Sequence, residues 1–203
     1  MLYVSSIHVY GRFLNEGKLI RENSAIWPES PYASSIAIAE LACLNFFIRF
    51  GLQVVIARAV NHTGAGQDTR FVFSDWCRQI ALAEKKKRPG RLEVGNLDVK
   101  RDFLHVRDVV KAYRMLLFKG KAGTIYNVAS SKPVLLRRYA DFLQRCARIS
   151  FKITPQKNRM RCSEAKTVRI DSSRLRALGW RPRWNTYQAL EELLNDWRRK
   201  VHG

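Results

Sequence analysis

The sequence predicts an α/β fold built on a parallel sheet. Short apolar runs suited to buried strands occur at Leu2–Val4, Val54–Ala57 and Thr124–Val128, and segments with clear helix start and stop signals lie between them on short connections. A chain of 203 residues, 46% of them hydrophobic, is long and apolar enough for one domain with a sizeable core, which excludes a disordered or fibrous protein.

The elements follow in order. Leu2-Tyr3-Val4 runs straight into Ser5-Ser6 and reads as a strand from the middle of a sheet. Ser30 is an N-cap, Pro31 suits the first helical position and Gly51 follows Phe50, so a helix is expected over 31–50. After the Val54–Ala57 strand, the polar stretch 61–70, NHTGAGQDTR, reads as a loop at that strand's carboxyl end. A helix over 71–87 carries Val72, Trp76, Ile80 and Ala83 on one face and ends at Pro89-Gly90. The run Lys85–Arg88 at its end suits the helix dipole and reads as a solvated helix terminus. A strand at 91–94, the segment 95–108, and helices over 108–118, 135–149, 171–178 and 186–200 complete the chain, with no internal repeat.

Charge is unevenly spread. Residues 1–100 carry 13 basic and 9 acidic side chains, whereas 101–203 carry 24 and 8, so most of the net +20 sits in the second half. Such a field favours anionic partners, among them nucleotide diphosphates, nucleic acid and anionic membrane surface. Cys43, Cys77, Cys146 and Cys162 lack zinc-ligand spacing and read as reduced thiols, two or three of them in the core. No run approaches the roughly 20 apolar residues of a membrane span, and Met1–Val4 is too short for a signal peptide, so a soluble cytoplasmic protein is expected.

Six segments carry the chemistry: SSIHVYG (5–11), PYASSIAIAE (31–40), VVIARAVNHTGAGQ (54–67), GNLDVKRDFLHVRDVVKAY (95–113), YNVAS (126–130) and RCSE (161–164), the last ahead of SSRLRALGW. On these segments the chain resembles the extended short-chain dehydrogenases of the NAD-dependent epimerase/dehydratase family. Within that family it is most similar to the group of GDP-mannose 4,6-dehydratases and GDP-6-deoxy-mannose reductases.

The resemblance implies a partial Rossmann-like doubly wound parallel sheet, made of the C-terminal strands, with a smaller α+β substrate-binding lobe. Residues 1–130 would be the sheet domain interleaved with substrate loops at about 61–107, and 131–203 mainly the substrate lobe and closing helices. It implies reduction of a 4-keto nucleotide sugar by NAD(P)H, with Tyr32 protonating the oxygen and Ser6 hydrogen-bonding it. An unassisted phenol titrates near pH 10, so the family places a lysine one helical turn after the tyrosine to favour phenolate and to hold the nicotinamide ribose. That position is Ile36. No glycine-rich strand-to-helix turn for the dinucleotide pyrophosphate is found, since Gly64-Ala65-Gly66 follows the wrong strand and reads as a turn. The cofactor-binding residues therefore stay unassigned, and redox activity of the chain alone is expected to be weak or absent.

Further implications concern the substrate. Asn61 matches the family's sugar-contacting asparagine, Arg101 and Arg161 match arginines near the diphosphate, and Glu164 matches an acid at the ribose or base. The chain departs from the pattern at Cys162, Ala59 and Val60. Dehydratases carry an acid beside the Ser or Thr; here Ile7 and His8 follow Ser6, which favours ketone reduction over dehydration. His8 reads either as a substitute base or as a structural histidine, and Tyr32 as the acid/base or as a buried aromatic at a helix start. The expected partners are a nucleotide-diphosphate sugar and, because a sheet edge would stand unpaired, further copies of the chain or a complementing N-terminal polypeptide. The alternative is a noncatalytic basic subunit, or a nucleic-acid-contacting protein, on the same fold.

Overall fold

The computed structural model describes residues 1–160 and 165–202. In order the elements are β1 (Leu2–Ser6), a 3-10 run (Ile7–Glu16), β2 (Leu19–Ile20), α1 (Pro31–Phe50), β3 (Val55–Ala59), β4 (Asn61–Thr63), α2 (Val72–Lys85), β5 (Gly90–Val94) and β6 (Lys100–Arg101). There follow β7 (Phe103–His105), α3 (Val106–Lys119), β8 (Ile125–Val128), β9 (Val134–Leu135), α4 (Leu136–Cys146), β10 (Phe151–Pro155), β11 (Arg169–Ile170), α5 (Ser173–Ala177) and α6 (Thr186–His202).

The central sheet has the order β1-β3-β8 and is parallel throughout, with Ser6 opposite Ala59 and Ala57 opposite Tyr126. Parallel neighbours need crossovers, which α1 and α3 supply. Smaller parallel pairs β4-β7, β5-β10 and β2-β11 and the antiparallel pair β6-β9 surround this sheet. The expected α/β class with a parallel sheet is thus found.

α1 forms as its signals predict. Ser30 Oγ accepts the Ala33 N–H at 3.1 Å, Pro31 occupies the first turn, and Gly51 at φ 69° closes the helix. Its Ala33, Ala37 and Glu40 face lies on the sheet, and the small alanines let helix and strands approach closely. By length and composition α1 is apolar enough to cross a membrane, which corrects the expectation that no such run exists. The polar stretch after β3 is likewise more ordered than a loop, because Asn61–Thr63 pairs with β7.

Two buried clusters organise the packing. One joins β1, β3, β8, α3, Ile20, Ile170, Leu175 and Trp180. The other joins α2, β5, α4 and α6 around Phe73, Trp76, Tyr139, Leu190 and Leu194. Among the described cysteines only Cys77 is buried; Cys43 and Cys146 are half-exposed, Cys146 packing against the second cluster, and Cys162 lies outside the described residues. Gly11 has φ 49°, and a Cβ there would meet the Trp27 carbonyl oxygen at 1.6 Å, so the turn after β1 admits no side chain.

Candidate active site

Ligands of open α/β sheets bind beyond the carboxyl ends of the strands. Ser6 stands at that end of β1 and caps the following 3-10 run, its Oγ accepting the His8 N–H at 3.3 Å. The hydroxyl proton is thereby left to donate to a ligand oxygen. Ser5, on the other side of the pleat, donates to the Glu40 carboxylate, and the Ser6 N–H donates to Ser5 Oγ at 2.6 Å. Tyr32 lies in the first turn of α1, 59% exposed, with its ring edge-on to His8 at 6.4 Å between centroids. The reading of Tyr32 as a buried aromatic does not hold.

Ser6, Tyr32, Asn61 and Arg101 line one cavity of about 590 Å³, together with His8 and Tyr113. An adjoining cavity of about 460 Å³ shares Asn61 and Arg101 and adds Arg159. The other two expected substrate residues, Arg161 and Glu164, lie outside the described residues. Asn61 opens β4, where the change of strand brings it to the cavity wall, and its side-chain amide makes no hydrogen bond among the described residues. Arg101 is held in β6 by donation to the carbonyls of Ala165 at 2.6 Å and Lys100 at 3.0 Å. Beside it, the buried Asp102 carboxylate accepts from Ser130 Oγ at 2.6 Å and the Ser131 N–H at 2.7 Å. Burial pushes the Asp102 carboxyl above its ordinary value against the pull of those hydrogen bonds.

The cavities also reveal residues the sequence pattern did not single out. Arg70 lines both and pairs with Asp68 at 2.9 Å; Arg159 is oriented by Asp75 at 2.5 Å and Glu93 at 3.5 Å. Tyr113 follows the HVRD motif on α3, and its hydroxyl is buried without a hydrogen-bond partner among the described residues; burial pushes its pKa up to about 12. The positive bias of the second half was the available signal for Arg159; for Tyr113 it was its place at the end of the segment 95–113 that carries the resemblance.

Ile36 is half-buried and packs against the sheet-side core rather than lining the cavity. Behind the site, Arg58 of β3 reaches Glu40 with Nε at 2.9 Å and Nη2 at 2.6 Å, both side chains almost fully buried. The Arg58 guanidinium also lies 4.8 Å from the centre of the Tyr10 ring, and the Tyr10 hydroxyl donates to Asn127 Oδ1 at 2.7 Å. This network ties α1 to all three strands of the central sheet.

The described residues fit a nicotinamide dinucleotide incompletely. The Ser6 and Tyr32 hydroxyls suit its reacting end, but Gly64–Gly66 does not cradle phosphate: the Gly66 N–H is spent on the Asp196 carboxylate at 3.0 Å. Ile36 brings no ribose-binding amine. Pyrophosphate binding is therefore not provided by these residues.

A parallel sheet with a serine and a helix-borne tyrosine at its carboxyl edge, opening on an arginine-lined cavity, is the architecture of the NAD-dependent epimerase/dehydratase class of short-chain dehydrogenases. The model of the GDP-mannose 4,6 dehydratase family matches residues 1–193, and the chain belongs to that family. It is 40% identical over 201 residues to the GDP-6-deoxy-D-mannose reductase of Pseudomonas aeruginosa, covering 98% of this chain and 66% of that protein. It is 28% identical over 207 residues to the dTDP-D-glucose 4,6-dehydratase of Bos taurus, covering 100% of this chain and 56% of the other. The structure of RMD from Pseudomonas aeruginosa complexed with NADPH superposes with a TM-score of 0.91 at 40% identity, over 98% of this chain and 67% of that one. The chain thus spans between about half and two thirds of the length of these relatives.

Proposed function

We propose that this chain binds a GDP-hexose-like nucleotide sugar and presents its C4 oxygen to Ser6 and Tyr32, as part of a nucleotide-sugar 4-keto reductase. The observation that carries the reading is the single cavity lined by Ser6, Tyr32, Asn61 and Arg101. Arg101, Arg70 and Arg159 supply planar guanidinium donors for a diphosphate, and Asn61 supplies an uncommitted amide for the sugar. In the reduction direction Tyr32 delivers a proton to the sugar oxygen and Ser6 donates a hydrogen bond to it. Reduction is favoured over dehydration because Ile7 and His8, not carboxylates, follow Ser6.

NAD(P) is the redox partner that the family relationship supports, and the RMD structure from Pseudomonas aeruginosa is complexed with NADPH. The absence of a phosphate cradle among the described residues and the packed Ile36 support a chain that binds sugar nucleotide without binding the cofactor alone. The outer edge of β1 is unpaired among the described residues and α1 exposes Ile38, Leu41 and Ile48, which supports association with further polypeptide. Calorimetric titration with GDP-mannose and, separately, NADPH tests the proposal. Binding of the first without the second is expected; tight NADPH binding, or no GDP-mannose binding, overturns it.

A further inference from the structure

The outer flank of α3 and the turn after α5 enclose a second open groove of about 590 Å³ that shares no residue with the substrate cavities. Lys111, Arg114 and Lys119 of α3 face it, with Arg181 and Arg183 of the turn, and no carboxylate among the described residues lines it. None of these five cations forms an ion pair among the described residues. Phe118, 80% exposed, is the aromatic ring on the groove surface.

The groove is built rather than incidental. The buried Asp108 carboxylate accepts the N–H groups of Arg183 and Trp184 at 3.0 Å, and the Trp180 indole donates to the Asp108 carbonyl at 3.1 Å. The turn is therefore fixed to the start of α3. Lys111 lies 4.1 Å from the Trp184 ring centre, which orders its stem. Like charges held side by side repel one another, and a bound polyanion relieves that repulsion.

The lining discriminates between anionic partners. An extended peptide needs a free strand edge, and a docked helix needs a long apolar trough; the groove is made of a helix and a turn, with Met115 and Phe118 as its accessible apolar side chains. Cations for phosphates beside an exposed ring for a base match single-stranded nucleic acid. We propose that this groove binds single-stranded nucleic acid, with phosphates against Lys111, Arg114, Lys119, Arg181 and Arg183 and a base stacked on Phe118. The site is independent of the sugar-nucleotide cavity.

The test is fluorescence anisotropy of the full chain with a labelled oligouridylate of about 12 nucleotides, titrated between about 50 and 200 mM salt. The combined variant Arg114→Ala with Lys119→Ala should lower the slope of log affinity against log salt by about 1.4, two single-strand phosphates' worth. Phe118→Ala should weaken binding about tenfold with the slope unchanged. Lys86→Ala with Lys87→Ala, removing two cations from the end of α2, should leave binding as it was, and thermal melts of all variants should match the parent. Absence of binding at the lowest salt, equal weakening by the Lys86 and Lys87 pair, or preference for polyglutamate or for phosphatidylserine vesicles would each overturn the proposal.

Discussion

Arg58 and Glu40 form an almost fully buried ion pair with an Nη2 to Oε2 distance of 2.6 Å, linking the middle strand of the sheet to the helix that carries Tyr32. Burial works against the Arg58 charge, but hydrogen bonding to Glu40 outweighs it and the guanidinium is held above its ordinary value. Ser5 adds a hydroxyl donor to the same carboxylate, so the strand bearing Ser6 and the helix bearing Tyr32 meet at one acid. Glu40→Ala would leave a buried guanidinium uncompensated and should cost about 3–5 kcal/mol. Urea denaturation measures this, and the double variant Arg58→Met with Glu40→Leu should recover most of the loss.

Tyr113 makes the opposite case. Its buried hydroxyl has no partner among the described residues, so folding costs the desolvation of that group with nothing in return from them. Tyr113→Phe should leave stability unchanged or raise it by about 1 kcal/mol. A calorimetric melt showing clear destabilisation would mean that the hydroxyl has a partner after all.

Two carboxylates set opposite pH dependences. Burial tends to raise Glu84, but two Arg198 hydrogen bonds of 2.8 Å and the Arg148 N–H at 2.9 Å prevail, and its folded pKa lies below 4.5. A depressed acid contributes stability that is present above its unfolded pKa and lost as pH falls through the folded one, so this contribution fades below about pH 4.5. Asp102, raised by burial, contributes stability below its unfolded pKa that is lost as pH rises through the folded one. Glu84→Gln should therefore cost about 1.5–3 kcal/mol at pH 7 and progressively less as pH falls below the unfolded carboxylate value. Asp102→Asn should flatten the part of the profile above the unfolded carboxylate value. Urea midpoints across this range separate the two.

The sheet, its crossover helices and most of the site were legible because they rest on local signals. Ser30-Pro31 and Gly51 bound α1 as expected, and short, mainly apolar runs marked β1, β3 and β8. The interruptions were not legible. β10 carries Lys152 and Thr154 and pairs with β5 across about sixty residues of chain, so neither apolar continuity nor sequence proximity announced it. Short pairs such as β2 with β11 exist only because the folded sheet brings them together. At the site, the hydroxyls, Asn61 and Arg101 stood in a recognisable order, whereas nothing local to Arg58 in β3 pointed to its role. Its meaning depends on Glu40, eighteen residues earlier and on another element.

Asn61 separates ligand binding from folding within the cavity. Because its amide makes no hydrogen bond among the described residues, Asn61→Ala removes no structural contact and should leave the melting temperature within about 2 °C of the parent. If the amide meets the sugar, the variant loses one or two neutral hydrogen bonds to ligand, worth about 0.5–1.5 kcal/mol each. Affinity for GDP-mannose should then fall roughly twofold for one weak bond and up to about 150-fold for two strong ones. Arg101→Ala should weaken the same binding further through a lost charged contact, and it should also destabilise the fold because that guanidinium holds the Ala165 carbonyl at 2.6 Å. Paired titrations and melts therefore give Asn61 a binding effect alone and Arg101 both effects. Equal affinities for the Asn61→Ala variant and the parent would remove Asn61 from the sugar site.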